Sequence, residues 1–206
     1  MTVRASRVTA SARGLYAGLL GTAHGVFEIL QGNTVPGGVM IQAIGPPCQP
    51  EQVAHACWPA MTLVPSFLAT GILAVLLSLT AATWAAASIQ RKRGGWVLIL
   101  LSIGMLLVGS GFIPTFVAIL AGVAGLGIHA PLGWWRVRLP KPVPVGSALW
   151  PWPLVAYTLW VLPVQWLLGR FMQAFMLNAG LVLFFCFDLG LPLLAVLTGL
   201  AYDGLE

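Results

Sequence analysis

The chain has 206 residues, of which 59 % are hydrophobic and 7 % charged, with a mean hydropathy of +0.93. Soluble domains carry about 25 % charged residues, so this composition excludes one and leaves a single polytopic membrane domain with no room for a separate soluble one. A formal charge of +5 and a pI near 9.6 raise nucleic acid as a partner, but the basic residues flank apolar runs and form no stripe, which argues against it.

Arg4, Arg7 and Arg13 precede the first apolar run, for which a helix is predicted over about 14–32. His24, Glu28 and three glycines within Leu15 to Leu30 make a poor signal-peptide core, so this segment reads as a retained first span. An outer loop over 33–59 follows, rich in Pro and Gly. It holds Cys48 and Cys57, nine residues apart, which read as a disulfide in an oxidising compartment. A metal site joining His55 to the two cysteines is a lesser alternative that lacks a fourth ligand, and Glu51 reads as a solvated loop charge.

The second span is expected over about 60–90, long enough to require tilt or protrusion, with Pro65 near its start. Arg91, Lys92 and Arg93 separate it from a stretch, Trp96 to Ile128, that is too long for one crossing. Gly109-Ser110-Gly111 and Pro114 break that stretch, which predicts a tight hairpin of short helices over 96–111 and 114–129, fully spanning or re-entrant. A linker over 130–153 follows, with six prolines, four tryptophans and the basic residues Arg136, Arg138 and Lys141. It suits the headgroup layer, with tryptophans at the interface and cations on lipid phosphates. The last two spans are expected over about 154–168 and 171–200, before an acidic tail with Asp203 and Glu206.

Nine of the ten basic residues then fall on one side, and only Arg170 on the other. Lys and Arg are retained on the cytoplasmic side of short loops. The fold class expected is therefore an all-α, six-span helical bundle with both termini cytoplasmic, in a bacterial inner membrane.

Glu28 and Asp188 are the carboxylates within predicted spans, and an ionised carboxylate in the bilayer is costly enough to face the bundle interior. His24, Glu28 and Gln31, spaced four and three apart, share one helical face. Depth counting puts His24 and Asp188 both near mid-membrane. Pro192, four residues after Asp188, cannot donate to its carbonyl, and Pro163 does the same to Leu159 beside Gln165. These groups serve either as interhelical polar contacts, worth about 0.6–2 kcal/mol, or as an ion or proton relay. His24 as axial ligand to a haem or chlorin is a third option. Gly14, Gly18, Gly21, Gly25 and Gly32 form a stripe for close helix packing, within the bundle or against another protein. Cys186 reads as a small buried hydrophobe. No phosphate-binding loop, zinc helix or haem-attachment motif is present, and no lysine lies inside a span.

Three functions are open on these residues. The first is an accessory or scaffolding subunit of a larger membrane complex, with lipids and other subunits or further copies of itself as partners. The second is a small proton- or ion-coupled transporter or channel using Glu28, His24 and Asp188. The third is an intramembrane enzyme acting on a lipid or quinone, with Arg136, Arg138 and Lys141 holding a phosphate.

Overall fold

A computed structural model describes residues 4–42, 59–130 and 148–205. Cys48, Glu51, His55, Cys57, Arg136, Arg138 and Lys141 lie outside those residues. Six helices make up most of the described residues: α1 (Ala5–Leu30), α2 (Phe67–Ala87), α3 (Gly94–Leu107), α4 (Phe112–Gly127), α5 (Trp152–Phe171) and α6 (Gln173–Gly204). By length and composition α2, α5 and α6 are each able to cross a membrane. At 14 and 16 residues, α3 and α4 are shorter, rising about 21 and 24 Å against a hydrocarbon core of about 30 Å.

Several boundaries differ from the sequence expectation for identifiable reasons. Helix α1 begins nine residues earlier, because Asp203 at the far end of α6 caps it. The Asp203 carboxylate accepts the backbone N–H of Ala5 at 2.6 Å and of Ser6 at 3.0 Å, and also the Ser6 hydroxyl. Asp203 is thus a buried helix cap rather than part of a solvated acidic tail. Helix α2 is shorter than expected, since Pro65 lies outside it and Ser66 caps it by accepting from the N–H of Ala69. Its 21 residues rise about 31 Å, so no excess length has to be absorbed by tilt. The fold is not purely helical either: Met40–Gln42 (β1) and Pro59–Met61 (β2) pair antiparallel, Ile41 facing Ala60.

The core is the contact of α1 with α2, followed by α1 with α4 and α3 with α4. The glycine stripe makes it. A Cβ added at Gly25 would come within 2.8 Å of the Gly71 carbonyl oxygen, and one at Gly71 within 2.6 Å of the Gly25 carbonyl oxygen. Gly18 likewise abuts Ser78 and Ala82. Only backbone fits between these two helices, so the stripe is spent on packing inside the chain. Gly32 does not belong to it, having no neighbour within 4 Å and a φ of +73° at the end of α1.

One end of the bundle gathers the start of α1 and the end of α6 through Asp203. Arg4 donates to the Ile128 carbonyl there, and His129 Nε2 lies 2.7 Å from the Gln90 carbonyl oxygen, next to Arg91, Lys92 and Arg93. Trp150 donates to Thr9 at 3.1 Å and packs on Tyr202. At the opposite end, Gln31 donates to the Gln42 carbonyl at 3.4 Å, and Leu63 N–H to Leu107 at 3.0 Å.

Candidate functional site

Helices α5 and α6 are each interrupted by a π-helical turn, Trp160–Val164 in α5 and Phe184–Leu189 in α6. Pro163 lies inside the first, where it removes one backbone donor, and Pro192 follows the second by three residues. Such insertions swing side chains out of the regular helical register and are frequent at functional sites. Here they meet: Trp160 donates its indole N–H to Asp188 Oδ1 at 3.1 Å, and the Trp160 ring stacks on Phe187 at 4.4 Å.

The two turns wall a cavity of about 230 Å³ between α1, α4, α5 and α6. Its polar lining comes from Tyr16 and His24 on α1, Tyr157 and Gln165 on α5, and Asp188 on α6; Leu20, Ile113, Pro114 and Val161 are among its apolar residues. Asp188 and Tyr157 are each only 1 % exposed. Asp188 Oδ2 and the hydroxyls of Tyr16 and Tyr157 have no hydrogen-bond partner among the described residues.

A cation lies behind this wall. Arg13 is buried, donates Nη2 to the Pro153 carbonyl at 3.1 Å, and stands 4.0 Å over the Tyr157 ring. Tyr157 in turn meets Tyr16 edge-to-face at 5.6 Å, a favoured aromatic geometry. Arg13, Tyr157 and Tyr16 thus pack in sequence beside the cavity that the two tyrosines share with Asp188. Arg13 is not one of the solvated charges flanking the first span, as its position before the apolar run suggests. It joins the same helical face as Tyr16 and His24, at spacings of three and eight.

The residues singled out from sequence separate into three places. His24 and Asp188 share the cavity. Glu28 is fully buried elsewhere, its carboxyl packed on the α3–α4 turn beside Gly109, and both its oxygens lack a hydrogen-bond partner among the described residues. His24 touches the same turn at Gly111. Gly109 and Gly111 adopt φ of +91° and +85°, conformations open to glycine and strained for other residues. Gln31 donates to the Gln42 carbonyl at the end of β1. Cys186 is exposed on α6, because the π turn that buries Asp188 rotates Cys186 outward. The cavity is smaller than the roughly 300–1,000 Å³ of drug-sized sites, so a haem or chlorin does not fit in it beside His24. Among the described residues no three His, Cys, Asp or Glu converge as a metal site.

Tyr16, Tyr157, Trp160 and Arg13 were not singled out from sequence. The spacing of Arg13 and Tyr16 on the His24 face was the available signal; nothing local marks Tyr157 or Trp160. No family model matches this chain, and no curated protein or solved structure matches it.

Proposed function

We propose that the chain crosses a bacterial inner membrane six times, with both termini cytoplasmic, and carries a small solute in steps coupled to proton or ion exchange at Asp188. The observation that carries this reading is the pairing of two interrupted helices around a cavity that holds Asp188 Oδ2 without a hydrogen-bond partner among the described residues. Interrupted helices near mid-depth are where transporters build solute sites, and ionisable groups kept inside a span usually serve a pathway. His24, Gln165, Tyr16 and Tyr157 supply further donors and acceptors, and Glu28 is a second carboxyl farther along α1. The orientation draws support from Arg4, Arg7, Arg91, Lys92 and Arg93 clustering at the end that also holds Ala5 and Asp203.

The test is electrogenic current on a solid-supported membrane, with proteoliposomes offered a panel of small solutes under a pH gradient. A solute-dependent current is expected, and Asp188→Asn should abolish it while leaving the melting temperature close to wild type. Wild-type current in that variant would remove Asp188 from the mechanism. Silence across the panel would overturn transport.

A second reading, a subunit of a larger complex, draws on the light burial of α5 and α6: 22 % of each apolar window is buried, against 39 % for α2. Native mass spectrometry after mild extraction would reveal a heteromeric partner if this is the role.

A further inference from the structure

Resting on the same cavity as the transport reading, we infer that its solute is a neutral, lipid-soluble molecule of about one ring that bears a hydroxyl group and enters sideways from the bilayer between α1 and α5.

Size sets the first limit. A cavity of about 150 Å³ accommodates benzene, and drug-sized ligands take about 300 Å³ or more. At about 230 Å³ the cavity falls between them, which suits one substituted ring.

Exposure sets the route. Phe27 on α1 and Leu162 and Trp166 on α5 are 39 %, 61 % and 53 % exposed, whereas Asp188 and Tyr157 at the inner wall are 1 % exposed. The opening is thus lined by apolar side chains. Leu162 stands midway along a helix long enough to cross the membrane, so the opening faces hydrocarbon rather than water. A solute arriving there is already dissolved in lipid, and a charged one pays a heavy desolvation penalty.

Chemistry sets the head group. Asp188 Oδ2 and the Tyr16 and Tyr157 hydroxyls present hydrogen-bonding positions without partners among the described residues. A carboxylate oxygen needs a donor, which a hydroxyl supplies, while the tyrosine hydroxyls serve as donor or acceptor. The apolar opening that a solute must cross favours a neutral one over a cation. Trp166 adds an aromatic face beside the opening.

Photolabelling of the full chain in lipid nanodiscs with a diazirine-substituted phenol tests this. Saturable labelling is expected at Phe27, Leu162 or Trp166, displaced by 4-hexylphenol at concentrations about tenfold below those of hexylbenzene. Tyr157→Phe removes a hydroxyl that bonds nothing among the described residues, so the fold is kept and the tenfold preference should shrink. Ala23→Trp, at the rim, should block labelling of the cavity while the surface background persists. Equal displacement by hexylbenzene, or protection by phenol-4-sulfonate from the aqueous side, would overturn the inference, as would absence of saturable labelling. Labelling without any solute current would sink transport and leave the ligand class standing; currents with polar solutes and no labelling would do the reverse.

Discussion

Asp203 accepts the backbone N–H of Ser6 at 3.0 Å, so the last helix caps the first. Helix α1 has no side-chain cap of its own at Arg4, and its first donors depend on a carboxylate almost two hundred positions away.

Asp203→Ala should therefore destabilise the fold by about 1 kcal/mol, within the range of lost N-caps, and Asp203→Asn by less. Thermal unfolding in detergent, followed by circular dichroism, measures both. An unchanged midpoint for the alanine variant would mean that the cap contributes nothing.

The Trp160–Asp188 bond makes a sharper prediction. Trp160→Phe leaves Asp188 Oδ1 buried without its donor, which should cost about 1–3 kcal/mol. Replacing both, as Trp160→Phe with Asp188→Leu, removes the unmet acceptor and should recover part of that loss. If the double variant is no more stable than Trp160→Phe alone, the bond is not what holds the two π turns together.

Gly109→Ala meets two obstacles, a φ of +91° and the Glu28 carboxyl in the space the new methyl would occupy. Backbone strain of this kind costs about 1–3 kcal/mol. Adding Glu28→Ala should relieve the overlap and leave the backbone strain, so rescue is expected to be partial. Full rescue, or none, would show that one of the two obstacles is absent.

Along α1, Gly18→Leu and Gly25→Leu should each abolish the monodisperse folded species on size-exclusion chromatography, because α2 backbone lies against both glycines. Gly180→Ala is the control. That glycine has no neighbour within 4 Å and sits inside a helix, where alanine is favoured by about 0.5–1 kcal/mol. A folded Gly25→Leu protein would mean that α1 and α2 are farther apart than described.

Arg13→Lys tests the cation under the cavity. Lysine keeps the charge but lacks the planar fork that reaches the Pro153 carbonyl and covers the Tyr157 ring. The variant should melt lower than wild type and close to Arg13→Met. Wild-type stability with lysine would reduce the role of Arg13 to charge alone.

Helices are legible in this chain because apolar runs and breakers are local, and Gly109-Ser110-Gly111 marks the α3–α4 turn directly. Depth counting from span edges is also local arithmetic, and it brings His24 and Asp188 to one height. What escapes such reading is set by distant residues. Arg13 resembles the other flanking arginines until Tyr157, far along the chain, covers it. The start of α1 depends on Asp203, and the outward turn of Cys186 on an extra residue per turn that hydropathy does not register. The pairing of β1 with β2 joins Met40–Gln42 to Pro59–Met61, a separation beyond any periodicity.

Only Met172 separates α5 from α6. A connection this short gives neither helix freedom to move alone, so α5 and α6 behave as one hairpin with Arg170 near its tip. The wall bearing Tyr157 and Asp188 is therefore set against α1 as a single unit.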